Sequence, residues 1–234
     1  MSTAEDTFRR ETVLTWLARD RRAAITLGYL VLLILLAILA PWISPYPPTA
    51  QDFAAVLEPP SAAHWLGTDD IGRDVLSRLI HGAPASLYAS VLAVSIATVV
   101  GVPLGLIAGF LGGWVDMVIS RVIDTLLSFP GIVLAIGVTG ALGIGLTNGM
   151  IACGLVFSPL MARLARAQTL VVKNELYIDA ARCFGASNWR LIRRHILPNV
   201  VQPLIVQITL LLAAALLAEA SLSFLGLGVQ PPQP

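Results

Sequence analysis

Charge is what this chain has least of. Only 12% of its 234 residues are Asp, Glu, Lys or Arg, about half the share usual in soluble domains. Lysine occurs once, at Lys173. No G-x-x-x-x-G-K-[ST] phosphate loop therefore exists, and the chain does not bind ATP through one. Cysteine is nearly absent: Cys153 lies in an apolar run and Cys183 in a basic stretch. No C-x-x-C spacing makes them metal ligands, and nothing pairs them. The histidines, His64, His81 and His195, accompany no G-x-S-x-G or H-E-x-x-H, which disfavours a membrane-embedded hydrolase. No catalytic, cofactor-binding or metal-binding residues are expected. A net formal charge of +1 implies no nucleic-acid partner.

Apolar residues fill the space that charge leaves. They make up 56% of the chain, and the mean hydropathy is +0.81. The composition predicts an all-α, polytopic membrane protein whose first partner is the lipid bilayer. Residues 1–22 form a polar N-terminal segment with five arginines and four acids; Leu14, Trp16 and Leu17 suggest a short interfacial helix. Residues 23–43 carry no charge and can cross a bilayer core, which needs about 20 residues. The apolar region of a signal peptide is shorter, about 7–15 residues, so a retained first span is expected. Residues 44–85 carry five acids against Arg73 and Arg78, which places this loop outside and the N-terminus in the cytoplasm. Within it, residues 68–80 read as an amphipathic helix with Ile71, Val75 and Leu79 on one face and Asp69 and Asp70 at its start. A metal site built from His64, Asp69, Asp70 and Asp74 is the weaker alternative.

Residues 86–234 hold four further expected spans. Span two, 86–111, has Gly101, Gly105 and Gly109 at four-residue spacing, a face that lets helices approach closely in lipid. Pro103 is a candidate bend. Residues 112–117 read as a turn. Span three, 118–144, contains Pro130 and, three residues apart, Arg121 and Asp124. An intramembrane carboxylate is a functional candidate by default; structural pairing with Arg121 is favoured over proton coupling. Span four, 150–164, has Pro159 as a candidate kink and ends in Arg163 and Arg166. Span five, 198–222, carries Glu219 near its outer end, where a wet or paired acid is expected.

Between spans four and five, residues 162–199 carry seven basic and two acidic residues, which puts this segment in the cytoplasm. Its centre, residues 175–198, reads ELYIDAARCFGASNWRLIRRHILP. The pattern predicts two short helices joined at Gly185, which can take the left-handed conformation that ends a helix. Ser187 or Asn188 can cap the second, and Pro198 is placed to begin the next span. Taken alone, the stretch fits either a basic loop meeting anionic lipid or an element that carries motion from a soluble partner.

The order Asp179, Ala180, Ala181, Gly185, Leu197, Pro198 resembles the EAA loop of bacterial ABC-importer permeases. Asp stands where Glu is usual, and His195 where the general motif has Ile. LGTDDIGRDVLSRLIHGA in the outer loop and SLSFLGLGVQPP near the end resemble the dipeptide, oligopeptide and nickel group, in its subunit with the longer first outer loop. The resemblance implies a type I ABC-importer transmembrane domain in the bacterial inner membrane. It implies a heterodimer with a second homologous permease, cytoplasmic ATP-binding subunits and a periplasmic or extracellular substrate-binding protein. Docking to the ATPase would fall to Asp179, Ala180, Ala181, Phe184, Gly185, Leu197 and Pro198, within a loop of residues 166–198. The family continues through a sixth span that this sequence does not contain; a fragment, a frameshifted product or a trimmed form is the expectation, which puts independent activity in doubt. The rivals are an ion-coupled secondary transporter using Asp124 and Glu219, for which no internal repeat is visible, and an inactive assembly subunit. Cargo stays open among dipeptides, oligopeptides, nickel, opines and other small solutes.

Overall fold

A computed structural model describes residues 20–230; the interfacial helix expected around Leu14–Leu17 lies outside them. The described residues divide into two units, 20–84 and 85–230.

In the first unit, α1 spans Arg21–Ile43. The Asp20 carboxylate caps it, accepting from the backbone N–H of Arg22 at 3.0 Å and Ala23 at 3.3 Å, two of the donors that a helix start leaves unpaired. Of its side chains only Ala40 is buried. Such an apolar all-round surface suits lipid. The loop that follows folds back on the start of α2, Val75–Leu111. No separate amphipathic helix exists over residues 68–80: residues 68–73 are a turn, and α2 begins at Val75. The helix-start acid is Asp74 rather than Asp69 or Asp70, because its carboxylate accepts the Ser77 N–H at 2.8 Å. Asp69 instead folds the turn, accepting from the N–H of Ile71 at 3.1 Å and of Arg73 at 2.9 Å.

The second unit is built around α5, Leu146–Lys173, which packs against α3, Gly113–Leu127, α4, Gly131–Leu142, and α8, Leu197–Phe224. Helix α5 is longer than the expected span four because the connection over 165–173 is helical too. Pro159 lies inside it and cannot donate to the Leu155 carbonyl. The Ser158 hydroxyl does so instead, at 2.8 Å, a local repair that a membrane helix needs.

Span three is not one straight helix. Helices α3 and α4 meet at a 95° bend. Pro130 causes it: a proline disfavours the helical conformation of the residue before it, and Pro130 itself is extended at φ −58°, ψ 123° before α4 starts. Two packing relations make this bent pair a single crossing. Helices α2 and α5 run parallel, since Gly101 meets Ser158 and Met161, Gly105 meets Ala162 and Ala165, and Gly109 meets Arg166 and Thr169. Two parallel helices that both cross require the chain between them to cross back. Helix α8 then returns antiparallel to α5, for Leu222 near its end lies against Gly149 near the start of α5. Among the described residues four helices are long and apolar enough to cross a membrane, and the bent pair counts as a fifth candidate span.

Candidate functional site

Residues 175–198 form an elbow that leaves α5 and enters α8. Helix α6, Leu176–Cys183, has one face turned inward through fully buried Ile178 and half-buried Ala181. The other face carries Leu176, Ala180 and Phe184 at four-residue spacing, all exposed; Leu176 is 85% and Phe184 92% exposed. Asp179 is exposed too, and among the described residues it reaches only its neighbour Arg182, at 3.6 Å.

The helix ends at Gly185, with φ +80°. The Ala186 N–H donates to the Ala181 carbonyl at 3.0 Å and the Gly185 N–H to that of Arg182 at 2.9 Å. This pair of bonds is the Schellman termination, which needs a left-handed residue. Ser187 then caps α7, Asn188–Leu191, accepting from Arg190 N–H at 3.4 Å.

Helix α7 does not stop before Pro198. It continues through one π-helical turn, Ile192–Ile196, into α8, and the whole runs unbroken over Asn188–Phe224. Pro198 lacks the N–H that would bond four residues back. The wider turn absorbs the misfit just ahead of it, with the Leu197 N–H donating to the Ile192 carbonyl. Pro198 therefore sits in the second position of α8 rather than opening a new helix, and Leu197 carries the joint, half-buried against the core. Leu191 and Ile196 are fully buried beneath the elbow.

Behind the elbow, charged groups tie four helices together. Lys173, the last residue of α5, donates to the Phe110 carbonyl of α2 at 2.6 Å, and both Lys173 and Arg182 of α6 lie within 6 Å of the Phe110 ring. Arg166 holds Asp116 of α3 through two hydrogen bonds. Asp124 pairs with Arg163 of α5 at 2.6 Å, not with Arg121. Side chains on a helix lean toward its N-terminus, so Arg121 leans away from Asp124, while Arg163 reaches in from the neighbouring helix. Asp116 and Phe110 escaped the sequence reading because one lay in an assigned turn and the other in an apolar run. The available signal was Asp116 two turns ahead of Asp124, matched by Arg163 and Arg166 one turn apart.

Gly101, Gly105 and Gly109 line the contact of α2 with α5. A Cβ on Gly105 would overlap the Ala162 carbonyl oxygen and stand 2.7 Å from the Ala165 Cβ, so backbone meets backbone along this seam. Glu219 is half-buried and accepts from the Ser223 hydroxyl at 2.9 Å. Among the described residues no group of three or more His, Cys, Asp or Glu side chains could hold a metal ion.

Helices long and apolar enough to span a membrane, with a helical elbow between α5 and α8, define the class of polytopic all-α membrane proteins. Residues 101–234 match the family of binding-protein-dependent transport system inner membrane components, and residues 12–60 match the N-terminal TM domain of oligopeptide transport permease C. The chain is 44% identical over 220 residues to the probable D,D-dipeptide transport system permease protein DdpC of Escherichia coli, covering 94% of this chain and 74% of that one. It is 45% identical over 217 residues to the glutathione transport system permease protein GsiD of Shigella boydii, covering 92% and 72%. A solved inward-facing structure of the MetNI methionine ABC transporter shares the fold, with TM-score 0.58 and 21% identity over 64% of this chain and 76% of that one. The chain belongs to the inner-membrane permeases of binding-protein-dependent ABC importers, in the dipeptide and oligopeptide group. It is a multi-pass transport component and not an enzyme. Membership implies ATPase, substrate-binding and second-permease partners.

Proposed function

We propose that this chain is the permease subunit of an ATP-driven importer of short peptides in the bacterial inner membrane, and that α6 is its handle for a separate ATP-binding subunit. One observation carries the reading. Leu176, Ala180 and Phe184 form an exposed stripe on a helix whose opposite face is fixed by Ile178. Large apolar side chains standing out of a polar segment mark a surface that another protein covers. Ala180 between the two bulky residues lets that surface come close.

The excess of basic residues over 162–199 supports a cytoplasmic elbow. The first two crossings bring the chain back to that side, so the N-terminus with its five arginines shares it. When ATP closes a pair of ATPase subunits, α6 moves with the one that holds it. The Schellman turn at Gly185 and the continuous helix Asn188–Phe224 pass the shift to α8. The Lys173–Phe110–Arg182 contacts and the Arg166–Asp116 pair pass it to α2 and α3. Alternating access requires an element with two states whose balance ATP biases. A second homologous permease completes the pathway as a heterodimer, and an external binding protein delivers the cargo. A D,D-dipeptide and glutathione, named for the two relatives, are both small peptides with charged ends. That shared chemistry favours short peptides here.

The test is disulfide or photo-cross-linking from Ala180→Cys in a Cys183→Ser background, in native membranes that contain the whole transporter. Capture of an ATP-binding subunit is expected. Capture of lipid alone, or labelling of that cysteine by a membrane-impermeant reagent added from outside, overturns the reading.

A further inference from the structure

Beside the docking stripe lies a notch of about 450 Å³, open to the surroundings and lined by Ser187, Trp189, Arg190, Arg193 and Arg194. Its charge is unanswered. No acid among the described residues comes within ion-pair distance of Arg190, Arg193 or Arg194, whereas Arg163, Arg166 and Arg182 each have a carboxylate partner. Trp189 is 69% exposed at the same place.

The geometry points to a binding site for the phosphodiester headgroup of an anionic phospholipid. The position along the helix selects this occupant over a soluble one. The three arginines belong to the unbroken helix Asn188–Phe224, whose charge-free run begins past Arg194 and His195, at Ile196, and continues to Ala218. At about 1.5 Å per residue, Arg194 and Arg193 stand roughly 3–5 Å before that run, within the headgroup layer, which adds about 5–8 Å on each side of the hydrocarbon core. Arg190 stands roughly 9 Å before it, at the outer edge of that layer, where a long side chain still reaches a phosphate. The exposed Trp189 beside it suits the same interface. Guanidinium forks match phosphate oxygens in pairs, which suits a diester better than a bulk counterion. The site lies on α7 and the π turn, not on the α6 stripe, so lipid and ATP-binding subunit need not compete. Its consequence is mechanical: a bound headgroup holds the membrane end of the elbow at fixed depth while α6 follows the ATPase.

The experiment uses the complete transporter in nanodiscs of phosphatidylcholine with and without phosphatidylglycerol, and reads lipid retained on the protein by native mass spectrometry. Wild type is expected to retain phosphatidylglycerol over phosphatidylcholine. The triple variant R190Q/R193Q/R194Q should lose that preference by on the order of a hundredfold, from roughly fivefold for each basic side chain at an anionic surface. Arg182→Gln, outside the notch, should keep it. Should the triple variant fail to fold, lipid quenching takes its place: Trp189→Phe should remove the quenching that brominated phosphatidylglycerol produces beyond that of brominated phosphatidylcholine. Unchanged retention in the triple variant overturns the proposal, as does unchanged quenching in Trp189→Phe. So does equal protection of the notch by inorganic phosphate in pure phosphatidylcholine, or cross-linking of Arg190→Cys to an ATP-binding subunit in place of lipid.

Discussion

Asp116 and Arg166 are fifty positions apart, yet they meet through two hydrogen bonds, Nε to Oδ1 at 2.5 Å and Nη2 to Oδ2 at 2.7 Å. The Ser120 hydroxyl donates to the same carboxylate at 3.1 Å. A forked contact of this kind holds α3 against α5 in one register, which a single point charge cannot do. Arg166→Lys is therefore expected to lower stability almost as much as Arg166→Gln, by about 1–2 kcal/mol, the range for a charged hydrogen bond after allowance for partial exposure. The exposed Asp124–Arg163 pair should cost less when broken, at most about 1 kcal/mol. Thermal unfolding of the purified protein in detergent compares the two; equal losses at both pairs would contradict the ranking.

The seam of α2 against α5 predicts a steep dependence on side-chain volume. Gly105→Ala drives a Cβ into the Ala162 carbonyl oxygen and against Ala165, which are backbone and a rigid methyl that cannot swing aside. A loss of about 1–3 kcal/mol is expected, as for other overpacked contacts. Gly137→Ala and Gly140→Ala on α4 serve as controls, because nothing lies within 4 Å of either Cβ. These should be neutral, or stabilising through better helix propensity. Melting temperatures of the three variants decide it.

Much of this was legible in the sequence, for reasons that differ by residue. Four-residue glycine spacing found the α2 face because helical periodicity is local. Gly185 and Ser187 were legible because each has a chemistry that suits one backbone position. Pairing was not. Arg121 was assigned to Asp124 on proximity along the chain, whereas Arg163 comes from another helix, and only the packing of α3 against α5 fixes which groups face each other. The 95° bend at Pro130 was likewise hidden, since a proline in an apolar run permits a gentle kink as readily as a sharp turn. At Pro198 the π turn let a helix pass where the rule predicted a fresh start.

In the loop between α1 and α2, Asp74 joins a buried polar clasp. Its carboxylate accepts from the Ser77 hydroxyl at 2.6 Å and N–H at 2.8 Å and lies 3.0 Å from His64 Nδ1. The Tyr46 N–H donates to the Ser77 oxygen at 3.1 Å, and the Tyr46 ring packs on His64. Burial pushes the Asp74 carboxyl up, but the bonds from Ser77 and His64 outweigh it and hold it below the ordinary value. A carboxylate with a lowered folded pKa contributes stability above the unfolded value, about 3.9, and loses it as pH falls through the folded one. The clasp should therefore hold down to about pH 4 and open below it. Asp74→Ala should remove that acid transition and cost about 2–4 kcal/mol at neutral pH, since it leaves buried donors unpaired. Amide hydrogen exchange over residues 44–78 as a function of pH reads both effects.

Gly185 offers a clean test of the elbow, because a side chain there meets no neighbour. Nothing lies within 4 Å of its Cβ position, yet its φ is +80°. Any effect of substitution must therefore come from the backbone. Asparagine tolerates the left-handed region, ordinary residues pay about 1–2 kcal/mol there, and β-branched ones more. In the assembled transporter, Gly185→Asn should transport nearly as wild type. Gly185→Val should keep ATP hydrolysis while uptake falls by about tenfold or more, since each 1.36 kcal/mol is a factor of ten. The diagnostic quantity is the ratio of solute moved to ATP hydrolysed, measured in proteoliposomes. If valine leaves that ratio unchanged, the Schellman turn is only a way to end α6, and the motion of α6 must enter the membrane helices through the Lys173–Phe110–Arg182 contacts with α2 and α5 instead.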